Sequence, residues 1–451
     1  MNNSSDQNQS GAQDLLAYLP WVIGVVICFA LFNGALNHRG NSLDELFSKC
    51  NLRLLDSVRS WSDVGFWNLG GLMSFRVSLT PLPPPTRLYS SQSTLYIVPH
   101  FIAYLWGGTT AYWSIVRSSA YVSAGVMSLS VAIFAWLLSE EWIKTVRSPR
   151  FLLGFALFAS FAITFPNEGI WGGLWNSDDR GLSSALLALA SASFALSVRL
   201  NQVYWHRFSA FLLVSAAIGC PRMGVMLFFV ILIGRYGLNR KYLSVAAIFS
   251  WPMALLLLGS SALHYIRVGL VDLTGKYVLD GSSILDRFGF IHKISKKGQS
   301  YLDYESIVQA FGFAWRQSEL MIGRIPLLSS VEHLLLYVIS AGGLILLFKR
   351  MHHSQSRYFA PLSLVTAPPL LWGILINQSV SEHPDIHAIT WVVPFALGIF
   401  CLIEWLVRFM CNRFGMFWSV MAGSWVAYWL FLWQVQYFIR FYPGLRVRYH
   451  L

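Results

Sequence analysis

Residues 37–75 read NHRGNSLDELFSKCNLRLLDSVRSWSDVGFWNLGGLMSF, and the polar segment they open continues through PLPPPTRLYSSQSTLYIVPH to His100. The segment follows one apolar run and leads into another. It sets Asp44 and Glu45 a few residues beyond the first apolar span, then a Trp/Gly-rich middle, a proline run and the step Tyr89-Ser90-Ser91-Gln92. Carboxylates next to hydrocarbon are costly, so those that persist there are the first place to look for chemistry.

Outside this segment the composition is that of a polytopic membrane protein. The chain of 451 residues is 55% hydrophobic and 12% charged, where a soluble protein carries about a quarter charged residues. The net charge of +12 is not gathered into one basic face, as a nucleic-acid partner would require. Instead the cations punctuate the gaps between apolar runs. Cys28, Cys50, Cys220, Cys401 and Cys411 are unpaired in number and carry no CxxC spacing, which excludes a disulfide framework or a thiolate metal site.

A spanning helix needs about 20 apolar residues. Runs of that kind lie at 15–36, 119–138, 151–165, 182–198, 208–220, 223–234, 242–263, 331–348, 358–376, 388–407 and 416–438. The expected fold is therefore an all-α polytopic membrane protein of about eleven transmembrane helices, with a disordered tail over 1–14 and one integral membrane domain over 15–451. The first run is long for a signal-peptide core and is expected to be a retained anchor.

Cations are retained on the cytoplasmic side, and the alternate short loops are sharply unequal. One set holds Lys144, Arg147, Arg150, Arg199, Arg207, Arg235, Arg240, Lys241, Lys349, Arg350, Arg357, Arg408 and Arg413; the other holds only Arg180 and Arg222. This predicts a cytoplasmic N-terminus, outer loops at 37–93 and 264–330, and an external C-terminus in a plasma membrane. The alternation requires that 93–113 does not cross fully. Pro99, His100, Gly107 and Gly108 within it favour an interfacial or re-entrant segment.

Several polar groups are candidates for chemistry. Asp44 and Glu45 are adjacent, so they point in different directions on a helix or a strand and at most one serves as a base. Desolvation beside the membrane raises a carboxylate toward the range that accepts a hydroxyl proton; the bland alternative is a helix cap. Asp178 and Asp179 precede the run at 182–198, where acids also suit a helix N-terminus. Arg222, in Cys220-Pro221-Arg222-Met223-Gly224, is a lone cation at an outer turn and matches phosphate geometry, or else snorkels to headgroups. Glu382, His383, Asp385 and His387 form EHPDIH, whose Pro384 disfavours a helical metal-ligand pair, so contact with a phosphate fits better than zinc. Tyr89 with its following serines is a hydroxyl-rich turn suited to a sugar or phosphate. The tryptophans of 61–71 and 171–175 suit sugar stacking or the membrane interface. The sequence contains no GxxxxGK[ST], GxSxG or HExxH, which removes the sequence basis for nucleotide hydrolysis, serine hydrolase or zincin chemistry.

Taken in order, these features resemble the GT-C superfamily of membrane glycosyltransferases, the group of protein O-mannosyltransferases and aminoarabinose-lipid transferases. The resemblance rests on Asp44-Glu45 after the first span, YSSQSTLY closing the first outer loop, WNSDDRGLSSALLALA opening a later span, the hairpin CPRMG, and HPDIHAITWVVP entering a late span. Two positions depart from the family pattern: Gln92-Ser93-Thr94 stands for a Lys-Pro-Pro step, and Arg222 for a hairpin lysine. The resemblance implies a large first outer loop with interfacial or re-entrant helices. It also implies sugar transfer from a polyprenyl-phosphate donor to a glycan, lipid or protein acceptor at the outer face. Asp44 would be the base, Glu45 and Asp178 would position it or an optional divalent metal, and Arg222 with His383 or His387 would stabilise the departing phosphate. Asp179 and Tyr89 would contact substrate. Three rivals remain: a transporter or flippase for the same lipids, which needs ionisable residues deep in the spans such as Glu404; a polysaccharide polymerase or ligase using Arg267, Arg287, Arg316 and Arg324 of the 264–330 loop; and a structural membrane protein without catalysis, for which no residue argues positively.

Overall fold

The computed structural model describes residues 19, 21–30, 50–74, 87–89, 93–138, 149–164, 179–237, 248–280, 341–349, 358–375, 389–415, 418, 421–429 and 431–432. In chain order these form α1 (Trp21–Ala30), α2 (Cys50–Ser60), a π-helical turn (Trp61–Gly65), β1 (Met73–Ser74), β2 (Arg87–Tyr89), α3 (Thr94–Leu138), α4 (Pro149–Thr164), α5 (Asp179–Leu200), α6 (Val203–Gly219), α7 (Pro221–Gly237), α8 (Trp251–Leu273), β3 (Val278–Asp280), α9 (341–349), α10 (Phe359–Leu375), a 3-10 turn (Ile389–Trp391), α11 (Val392–Phe414) and α12 (421–429). Four of the described helices are long and apolar enough to cross a membrane: Thr94–Leu138, Arg180–Leu200, Trp251–Leu273 and Ile389–Phe414. The chain is a helical membrane protein.

Helices α5, α6, α7 and α8 pack as neighbours, with α10 against α5 and α7, and α3 against α4 and α5. Small residues set these approaches. A Cβ on Gly224 of α7 would overlap Ser261 Oγ of α8 and stand 3.1 Å from the Leu257 carbonyl. Gly343 and Gly398 likewise bring α9 and α11 into backbone contact, the close helix approach that small residues permit in bilayers. Gly224→Val is expected to cost about 1–3 kcal/mol by overpacking, read as a lowered melting temperature in detergent; an unchanged melt would contradict this α7–α8 contact.

Helix α3 is not one rod. Gly107 (φ −137°, ψ 22°) and Gly108 (φ 61°, ψ −149°) leave helical geometry. The rings of His100 and Tyr112, on either side of that break, stand 5.8 Å apart, where a straight helix would separate the residues by about 18 Å. The chain therefore turns sharply at the glycine pair, and its two arms share an interior. The first arm, 94–106, is roughly 20 Å long, shorter than the hydrocarbon core of about 30 Å. It exposes Leu95, Ile102, Leu105 and Trp106.

The helical fold also carries one small sheet of order β1-β2-β3, of strands two or three residues long, and two expectations need correction. β1 and β2 are antiparallel, with Met73 opposite Tyr89; β2 and β3 are parallel, with Tyr89 opposite Asp280. The sheet ties the 37–93 loop to the 264–330 loop, so both emerge at one end of the bundle. The apolar run at 242–263 is also displaced. Ile248 to Ser250 form a turn, Ser250 caps α8 by accepting from Met253 N at 3.4 Å, and the helix continues to Leu273. The loop assigned to 264–330 thus begins as helix. Finally, Trp61 is neither a stacking platform nor an interface residue: it is buried, and its Nε1 donates to the Leu72 carbonyl at 2.8 Å.

Candidate functional site

The α6–α7 hairpin is the organising turn of the sheet-bearing end. Cys220 leaves α6 in extended geometry, and its amide still donates to Ala216 O. Pro221 then opens α7, where a missing amide proton costs nothing. This fixes Arg222 in the first turn of α7, 4% exposed.

Two other candidate segments are held against this turn. Ser93 Oγ donates to the Ile218 carbonyl at 2.7 Å and accepts from Leu95 N at 3.2 Å, so the residue closing the Tyr89–Gln92 step both caps α3 and hooks onto the end of α6. On another flank, a Cβ on Gly219 would come within 3.0 Å of Ser183 Oγ. Ser183 lies one turn into α5, which begins at Asp179 and carries Arg180 at 5% exposure. Ser93, the start of α5 and the Arg222 hairpin therefore converge at one end of the bundle.

Helix α8 supplies a fourth flank. Ser261 abuts Gly224; one turn further lies buried His264, whose Nδ1 is 3.1 Å from Arg267 Nη2. A guanidinium only donates. Nδ1 is therefore the acceptor, and the imidazole carries its proton on Nε2.

Above the hairpin, α2 and the two arms of α3 enclose polar groups that sequence reasoning missed. Tyr112 Oη donates to the Asn51 carbonyl at 2.7 Å, and Asp56, 6% exposed, lies within electrostatic reach of that phenol. His100 Nδ1 is 3.1 Å from the Tyr96 carbonyl. Periodicity gave no signal for Asp56: on α2 it shares a face with Leu52, Arg53, Arg59 and Ser60 rather than with the apolar stripe of Leu54, Leu55 and Val58.

Of the site residues expected from sequence, Arg222 is placed with its side chain, buried in the first turn of α7. Asp179 opens α5 and Tyr89 ends β2 as backbone positions, without description of their side chains. Asp44, Glu45, Asp178, His383 and His387 lie outside the described residues. Among the described residues no group of three or more His, Cys, Asp or Glu could hold a metal ion. An apolar hollow of about 270 Å³ between α1, α3 and α4, lined by Trp21, Val25, Ser128 and Phe161, lies away from the polar end and lacks groups for chemistry. Glu404 of α11 is buried and bound to Arg408 at 2.6 Å, an ion pair within one helix.

No protein-family model matches the chain. A search of curated proteins also finds no match.

Proposed function

We propose that the protein is a glycosyltransferase of GT-C type, moving a sugar from a polyprenyl-phosphate-linked donor to an acceptor at the outer face of the plasma membrane. In this reading the chain makes about eleven crossings, with the N-terminus cytoplasmic and the C-terminus external. The observation that carries the reading is the meeting of Ser93, the α5 start and the Arg222 hairpin at one end. Three segments distant in sequence, each a candidate for substrate contact, gather where α5 and α7 begin.

Asp44 takes the proton of the acceptor hydroxyl, whose oxygen then bonds to the anomeric carbon as the bond from that carbon to the phosphate oxygen breaks. Charge gathers on the departing phosphate, and stabilising such charge is usually the largest single contribution to catalysis. Arg222, with His383 or His387, fills that role. Glu45 and Asp178 hold the base or an optional divalent metal, and Asp179 and Tyr89 contact the substrate. A lipid-linked donor accounts for an embedded enzyme, since its tail stays in the bilayer.

A polymerase or ligase acting on lipid-linked glycans is the second reading, favoured by the sheet that brings the 264–330 loop to this end. Transport is favoured less, because Glu404 is committed to Arg408. The test is Asp44→Asn at equal expression: loss of a general base is expected to slow transfer by about 100-fold or more. Unchanged transfer to the acceptor would remove Asp44 from the mechanism.

A further inference from the structure

Helix α8 has two faces of opposite kind. Leu256, Leu263, Ile266 and Leu270 are exposed along one stripe, while Ser261, His264 and Val271 are buried along another. The buried stripe meets protein: Ser261 abuts Gly224 of α7, and Val271 abuts Gly70 ahead of β1. In a helix long and apolar enough to cross a membrane, the exposed stripe meets lipid tails. Arg267 lies on the border between the two. It stands four residues after Leu263 and three before Leu270, but also three after His264 and four before Val271, so it neighbours both stripes.

A cation at a lipid-facing border is costly, and the usual relief is to reach for the nearer interface. Arg267 lies about 9 Å short of the end of α8 at Leu273, within reach of that end. Its Nη2 turns the other way, to His264 Nδ1 at 3.1 Å. That partner accepts through a lone pair and is therefore an uncharged imidazole, and Arg267 Nε has no partner. Among the described residues no carboxylate pairs with this guanidinium. The protein thus holds a positive charge beside the lipid and supplies no negative one.

We infer that α8 binds an anionic phospholipid at this border, independently of the sugar-transfer reading. Its phosphate is drawn below the headgroup plane to Arg267, by the local thinning that charged groups impose on a bilayer. One acyl chain runs toward the start of α8 along Ile266, Leu263 and Leu256. A phosphate diester carries one negative charge, which matches one guanidinium, and the planar fork suits two of its oxygens. A zwitterionic headgroup brings its own cation to the phosphate, so an anionic headgroup fits better.

The experiment measures lipid binding to purified full-length protein by native mass spectrometry, with phosphatidylglycerol, phosphatidylcholine and diacylglycerol of identical chains. Phosphatidylglycerol is expected to bind about tenfold tighter than diacylglycerol, the worth of one charge-assisted contact, with phosphatidylcholine between them. Arg267→Gln, in protein with a native melting temperature, should bring the three lipids together. Lys276→Gln, which removes an exposed cation just beyond α8, should leave the preference intact. Equal binding of phosphatidylglycerol and diacylglycerol by the native protein overturns the site without recourse to any variant. Equal binding of phosphatidylglycerol and phosphatidylcholine overturns the anionic headgroup. A preference that survives Arg267→Gln, or that disappears in Lys276→Gln, is diffuse attraction to a basic surface and overturns the assignment to Arg267.

Discussion

On the proposed transferase reading, replacing Arg222 with glutamine is expected to slow glycan transfer by about 100- to 1000-fold, the usual cost of removing one donor from a developing oxyanion, with folded protein recovered at native yield. The yield should hold because glutamine keeps a polar, hydrogen-bonding end in a pocket that is 4% exposed while relieving it of a desolvated charge. The rate should fall because glutamine offers no positive charge to a leaving phosphate. Arg222→Lys separates charge from shape: an ammonium supplies the charge but not the planar fork, so an intermediate loss of about tenfold is expected, one charge-assisted bond being worth about 1.5–3 kcal/mol. The measurement is initial rate against donor concentration for the three proteins, and rates within about threefold of native for Arg222→Gln, a difference below one such bond, would remove this guanidinium from the chemistry. Were kcat to hold while KM rises, Arg222 would bind the donor equally in ground and transition states.

The helices were legible because run length alone marks them. α4, α6, α7 and α10 fall close to apolar runs read from sequence, and the α6–α7 turn is announced by Cys220-Pro221. The displaced start of α8 shows where run length fails. Val245 to Phe249 are apolar and extend the run, but Ser250-Trp251-Pro252 carries a stronger local signal, a capping serine before a proline in the first turn. The sheet left no trace because its strands are two or three residues long, too short for alternation to register. Arg180 was visible as an outer-side cation, but its burial depends on the packing around α5. The pairing of Tyr112 with Asn51, and of Ser93 with Ile218, joins residues far apart in sequence that no local pattern links. What the sequence offered was a set of residue types on one expected side; of these only Arg222 is placed with its side chain, and the contacts that hold its hairpin are long-range.

Trp61→Ala is expected to destabilise the unit formed by α2, the π-helical turn and the first arm of α3 by about 3–5 kcal/mol, the range for removing a fully buried large aromatic side chain. Trp61 is 1% exposed and is the joint between these elements. Its ring meets Phe66 edge-on at 4.7 Å and Phe101 of the first arm at 5.4 Å, and its Nε1 holds the Leu72 carbonyl just before β1. Alanine would leave a cavity and an unanswered carbonyl together. Trp61→Phe keeps much of the ring and loses the hydrogen bond, so it should cost roughly 1–3 kcal/mol, the desolvation penalty of an unpaired buried group. Hydrogen exchange in lipid nanodiscs reads the effect locally: amides of 50–74 and 94–106 should lose protection in Trp61→Ala, while those of α5 to α7 keep theirs. Because Ser93 bonds to Ile218 at the other end of the first arm, loosening this unit should also slow glycan transfer although Trp61 touches none of the proposed reacting groups. Native protection across 94–106 in Trp61→Ala would mean that the arm is held by its own contacts with the second arm, and the tryptophan would then be a passenger in the packing.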